Sequence, residues 1–357
     1  MRARFLTATV ATVASALALG VATASAAPSS FYGLVPSGEL SPPDYELIDG
    51  ANVGAARVSV TWPAVEPRAD HFDWRATDRV IGGFASKGIK VLPLLSDNPR
   101  WIPGTWTKPP LSSPLQRREW VEYVAAVVDR YGVGGTYWRA AYGIQYPGSP
   151  SPPPIDTWQV WNEENGPKHF HPRPSVRKYA KLLQLSAQAV KSQDPGAEIV
   201  TGGMASKPTG RGGIAAWTFV RKLMGRRSAR RSVDHVALHP YARNDRQIVS
   251  HMKRMRRALK KGGKRKAQVW ITELGWSSSR RGGGKLAKTP KLQATLLKRS
   301  YKLLERKRRR WKVGGVYWYT WRDFKSGICD WCPHAGLVTR GRSPKPAYRK
   351  YRRVARG

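Results

Sequence analysis

The chain has 357 residues, 41% of them apolar and 15 of them Trp, enough to fill a real core and to exclude disorder along its whole length. It carries 63 Lys and Arg against 23 Asp and Glu, a formal charge of +40, and the excess is uneven: residues 201–357 hold 43 of the basic residues and 6 of the acids. Such a field favours anionic partners (nucleic acid, acidic glycan, envelope polymer or an anionic membrane) without choosing among them.

The chain begins with a basic start, an apolar stretch of Ala, Val and Leu, and then Ala24-Ser25-Ala26, a small-residue site that suits signal peptidase. The reading is a signal peptide over residues 1–26 and one secreted domain over 27–357. The apolar stretch lacks the basic flank of a stop-transfer anchor, and no later segment is apolar enough to span a bilayer.

Eight short β-branched or aromatic runs follow in order: FYGLV (31–35), AARVSVTW (55–62), IKVLPLL (89–95), TWQVWNE (157–163), EIVTGG (198–203), HVALHPY (235–241), QVWITELGW (268–276) and GGVYWYTW (314–321). Longer amphipathic stretches alternate with them, eight in all, from PDYELIDGAN to KPAYRKYRRVA; several start after Ser, Asp or Pro and stop at Gly. Regular alternation of this kind predicts an α/β fold, a single (β/α)8 TIM barrel. A doubly wound open sheet shares the alternation, but no glycine-rich phosphate turn follows the first strand. GSPSPPP (148–154) reads as a loop insertion, because the alternation resumes directly after it.

Barrel enzymes work at the C-terminal ends of their strands. Only the fourth and seventh runs carry a glutamate toward their C-terminal tips, Glu163 and Glu273. Two carboxylates facing each other across a barrel mouth suit glycoside hydrolysis, one protonating the leaving oxygen and the other attacking or activating water. Such a pairing also separates their pKa values. The competing reading makes them buried ion-pair members, with Arg57 as a partner. Glu164, next to a strand-tip residue, is expected to be structural.

Cys329 and Cys332 close a CDWC stretch. Two cysteines cannot complete a four-ligand zinc site, and the βαβ setting of a redox pair is absent, so a small loop disulfide is expected. His169 and His171 in KHFHP lack a third ligand nearby and read as a solvated loop; no metal and no cofactor are expected.

With these residues in view, the chain resembles the clan A glycoside hydrolases, particularly secreted bacterial members near family 39 and the related family 5. Asn162-Glu163 in WQVWNEEN is similar to that clan's acid/base motif, and Glu273 in WITELGW to its nucleophile. ARVSVTWPAVEPRADHFDW with Arg57, HPY with His239 and Tyr241, VYWYTW, and the ending HAGLVTRGRSPKPAYRKY extend the resemblance over nearly the whole mature chain. Many relatives follow Asn-Glu with proline, where this chain has Glu164.

The resemblance implies a retaining mechanism with the carboxyl groups about 5 Å apart, Glu273 attacking the anomeric carbon and Glu163 serving as acid and then base. It implies that Asn162 binds the sugar 2-hydroxyl, that Arg57 and Tyr241 hold Glu273 ionised, and that His239 binds a hydroxyl or supports Tyr241. Trp318 or Trp321 is expected to supply an apolar platform for a sugar ring; positions three apart on a strand cannot both face inward without a bulge. Trp62 and Trp101 are weaker candidates of the same type.

The expected partner is a polysaccharide or other glycan, with an anionic cell-envelope polymer held by the basic C-terminal half, no specific nucleic acid, and a monomeric state. A catalytically weak or inactive carbohydrate- or envelope-binding barrel is the alternative.

Overall fold

The structure is a computed structural model, and it describes residues 26–208, 210–281, 284–325 and 329–356. The signal peptide assigned to residues 1–26 falls almost wholly outside the described residues.

Eight parallel strands close into one barrel in sequence order: β1 (Tyr32–Val35), β2 (Ala55–Thr61), β3 (Lys90–Ser96), β4 (Thr157–Asn162), β5 (Glu198–Ala205), β6 (His235–His239), β7 (Val269–Leu274) and β8 (Val313–Tyr319). Each falls within a residue or two of an apolar run read from the sequence. Closure is made by β1 on β8, with Gly33 opposite Tyr317.

The eight long amphipathic stretches are helices on the outside, and their ends follow from local chemistry. Ser113, Ser175, Asn244 and Thr289 each accept a bond from an amide in the first turn of the helix they precede, and Ser41 forms a capping box with Asp44. Short additional turns, such as Trp62–Val65 and Arg227–Ser232, decorate the loops. Among the described residues no helix is long and apolar enough to cross a membrane.

Period-two alternation divides the side chains. On β2, Ala56, Val58 and Val60 pack outward into the layer between barrel and helices, which leaves Arg57 on the inner face. A small interior cluster of Val35, Ala55, Leu92 and Tyr317 fills the barrel axis. The outer layer is far larger and holds most of the Trp residues, including Trp62, Trp120, Trp158 and Trp161. The polar inner positions lie above the interior cluster and open into a cup at the C-terminal strand ends.

Candidate active site

Two strand tips break their alternation at the cup. Trp161 has φ +70°, so its ring turns outward against Trp120 and Phe170 while Asn162 turns inward. Glu163 follows at φ +45°, a left-handed backbone that L residues adopt only at a cost. On β7 the pairing with β8 is irregular between Ile271 and Leu274, and Thr272 and Glu273 both reach inner partners.

Glu273 is held on several sides. Arg57 Nη1 donates to its Oε1 at 2.6 Å, and the Tyr241 hydroxyl donates to its Oε2 at 2.5 Å. The same guanidinium donates to Asn162 Oδ1 at 2.8 Å and to Gln159 Oε1 at 2.6 Å, so one buried Arg fixes three residues on two strands, β4 and β7. Burial pushes the Glu273 carboxyl toward the neutral form, but His239, Arg57 and Tyr241 outweigh it and leave its pKa below the ordinary range. Burial and the facing Glu273 together raise the Tyr241 phenol well above its usual value, so it remains a donor.

Glu163 lies between two imidazoles. His239 Nδ1 is 2.9 Å from its Oε1, and His169 Nε2 is 3.3 Å from its Oε2. His239 Nδ1 is also 3.4 Å from Glu273 Oε2, and its Nε2 meets Thr272 Oγ1 at 3.1 Å, so His239 bridges the two acids. Single donor atoms of Glu163, His239 and Glu273 lie within 4.8 Å of one another, a set that could also ligate a cation. Gly203 on β5 makes the bridge possible, because a Cβ there would overlap the His239 ring.

Glu164, expected to point away from the cup, does so and is fully buried against Gly202 and Tyr179. The Tyr179 hydroxyl gives its single proton to Val160 O, and neither Glu164 oxygen meets a donor. Burial pushes this carboxyl up to about 8.

The aromatic platform requires a correction. Trp318 and Trp321 are both fully buried outside the cup: Trp318 packs on Trp276 and donates to Ala335 O, and Trp321 donates to Asp44 Oδ1. Alternation along β8 instead presents Tyr317 and Tyr319 to the interior. The aromatic rings that line the cup include Tyr319, Trp331 and Trp106, beside Tyr241, Trp161 and Phe324. Trp62 is buried as well, and Trp101 is tied to Glu66 O in the outer layer.

Trp331 stands between Cys329 and Cys332, which are bonded to each other as expected with Cα atoms 5.5 Å apart. The disulfide loop therefore forms one wall of the cup. His169, read as part of a solvated loop, is the other departure: its side chain reaches Glu163, and its carbonyl accepts from Trp161 Nε1.

The cup has two chambers, of about 290 and 550 Å³, that share Asn162, His169, Glu273 and Tyr319. The smaller adds Lys168, Lys207, Lys285 and His251. The larger adds Arg57, Asp97 and Trp106, and burial pushes Asp97 up to about 6.

Residues 154–351, more than half of the chain and including both glutamates, match the family model described as glycosyl hydrolase catalytic core. The chain belongs to this family. Solved structures of similar fold include a family 39 glycoside hydrolase from the gut symbiont Bacteroides cellulosilyticus WH2, at 19% identity and TM-score 0.66 over 92% of this chain and 64% of that one. A GH39 β-xylosidase from Caulobacter crescentus is similar at 19% identity and TM-score 0.64, over 92% and 72% of the two chains. Xylanase 10B from Thermotoga maritima is similar at 15% identity and TM-score 0.59, over 92% and 95%. The chain spans 64% of the length of the first of these structures. At these identities the likeness is one of fold. No curated protein matches the sequence.

Proposed function

We propose that the protein is a retaining glycosidase that cleaves O-glycosidic bonds of a glycan by double displacement. The carrying observation is the pair of carboxylates at the tips of β4 and β7, with oxygens within 4.8 Å of each other across the cup. Retaining enzymes keep their two carboxyl groups at roughly 5 to 5.5 Å, whereas inverting enzymes separate them by about 6.5 to 9.5 Å to admit a water. Family membership supports the same reading.

In this reading Glu273 attacks the anomeric carbon, because two donors and His239 favour its ionised form. Glu163 protonates the departing oxygen and then takes a proton from the water that releases the sugar. Asn162 has its Oδ1 taken by Arg57, which fixes the amide so that its Nδ2 protons are available to the 2-hydroxyl of a bound sugar. Tyr319 and Trp331 supply the apolar wall.

The basic excess of residues 201–357 supports retention on an anionic envelope polymer by salt-sensitive contacts, and the leading segment supports export. A panel of chromogenic glycosides assayed with wild type, Glu163→Ala and Glu273→Ala tests the central assignment. Loss of turnover in both folded variants supports it, and undiminished hydrolysis by either contradicts it.

A further inference from the structure

The smaller chamber has a charge that the proposed chemistry does not use. Lys168 comes from the loop after β4, Lys207 from the loop after β5 and Lys285 from the loop after β7, and all three line the same cavity as Glu163 and Glu273. None makes an ion pair with a carboxylate among the described residues, and the segments outside them contain no Asp or Glu. All three are exposed to solvent at the chamber wall, and a concave wall focuses the field of like charges on whatever enters.

A second observation comes from the chamber's lining. His251, on the helix Asp245–Lys261, is 4% exposed, and its Nδ1 has no hydrogen-bond partner. The ring lines the chamber, while its Nδ1 itself is out of contact with solvent. Burial first, then the charges of Lys207, Arg254 and Lys285, pull this imidazole down to about 4, against a bond to the Pro240 backbone that favours its charged form. Trp217 packs on His251 at a tilt, with ring centroids 5.8 Å apart, and the Arg254 guanidinium lies 5.0 Å over the Trp217 ring. Among the described residues, the acids lining the chamber are the two at the proposed cleavage point.

We infer that this chamber binds an anionic substituent (carboxylate, sulfate or phosphate) carried by the glycan beside the bond that Glu163 and Glu273 cleave. The inference rests on the proposed glycosidase reading for the placement of that bond, and it narrows the substrate to acidic glycans. The three ammonium groups can neutralise and hydrogen-bond the anion, with the His251 ring forming part of the chamber wall. The larger chamber, with Asp97 and Trp106, has no comparable group of unpaired cations and suits the remainder of the chain.

The test reads binding without turnover. Glucose, glucuronate, glucose 6-sulfate and glucose 6-phosphate are titrated into the full-length protein by NMR at constant ionic strength, with His251 shifts as the local reporter. At least one charged sugar is expected to bind about tenfold or more tighter than glucose, the scale of one charge-assisted hydrogen bond, and the arm that responds identifies the substituent. Lys207→Gln with Lys285→Gln is expected to abolish that preference. Lys260→Gln with Lys261→Gln, on the outer end of the same helix as His251, removes equal charge and is expected to retain it.

Equal or absent binding of charged and neutral sugars overturns the inference, as does an equal loss of preference in the outer-helix variant. Because no hydrolysis enters this measurement, inactive Glu163 and Glu273 variants bear on the proposed function alone.

Discussion

Arg57 and Glu273 stand on β2 and β7, and a 2.6 Å bond joins them across the barrel. Both side chains are largely buried, 3% and 12% exposed, so the pair is shielded from solvent and its removal leaves an uncompensated charge. Arg57→Met is therefore expected to raise the Glu273 pKa and to destabilise the fold by about 3 to 5 kcal/mol, the range for breaking a buried pair. The acid limb of the kcat/KM profile should move to higher pH in any fraction that folds. A profile unchanged from wild type would show that Arg57 does not set the charge of Glu273.

Glu164 gives stability a pH dependence of definite sign. Its folded pKa of about 8 lies above the ordinary 4.5, so the folded state holds a proton that the unfolded state releases between those values. Stability from this group is fully present below about pH 4.5 and is lost as pH rises toward 8. Glu164→Gln, which keeps the shape and stays neutral, should raise the melting temperature at pH 8 far more than at pH 5. Equal shifts at both pH values would mean that Glu164 is ionised in the folded protein.

Trp331 and Trp318 separate a wall of the cup from a brace of the core. Trp331→Ala should raise KM about tenfold, for ~1 to 2 kcal/mol of lost apolar contact, with kcat little changed. Trp318→Ala should cost about 3 to 5 kcal/mol of stability, the usual range for a large buried aromatic. Thermal melts and steady-state kinetics on both variants distinguish the two roles, and the reverse pattern would restore Trp318 as the platform. Reduction of the Cys329–Cys332 bond should mimic Trp331→Ala in KM, because the disulfide closes the loop that carries the ring.

Gly203 is required by its neighbour more than by its own backbone. A methyl group there would overlap His239, so Gly203→Ala should displace the imidazole that bridges Glu163 and Glu273. The expected result is a loss of kcat together with about 1 to 3 kcal/mol of stability, the cost of overpacking. Wild-type turnover in the variant would show that the bridge is dispensable.

The strands and the two glutamates were legible in the sequence for one reason: β-branched and aromatic runs with a polar tip look the same wherever they occur in a parallel barrel. The platform was not legible, because an aromatic run such as VYWYTW does not reveal which alternate set faces inward; that is set by the register of β8 against β1 and β7. Glu164 was legible as a structural residue beside the strand tip, but not its complete burial without a donor, because that depends on the packing of β5 and Tyr179 around it. His169 and the three lysines come from separate loops, and each alone reads as a solvated charge; only barrel closure brings them to one cavity.

The account depends most directly on the separation of Glu163 and Glu273. The anomeric configuration of the first-formed product, followed by proton NMR before mutarotation on whichever glycoside proves to be a substrate, reads that separation as chemistry. Carboxyl oxygens within 4.8 Å predict retention, with the product anomer matching the substrate. An inverted first product would contradict the double displacement and the role given to Glu273.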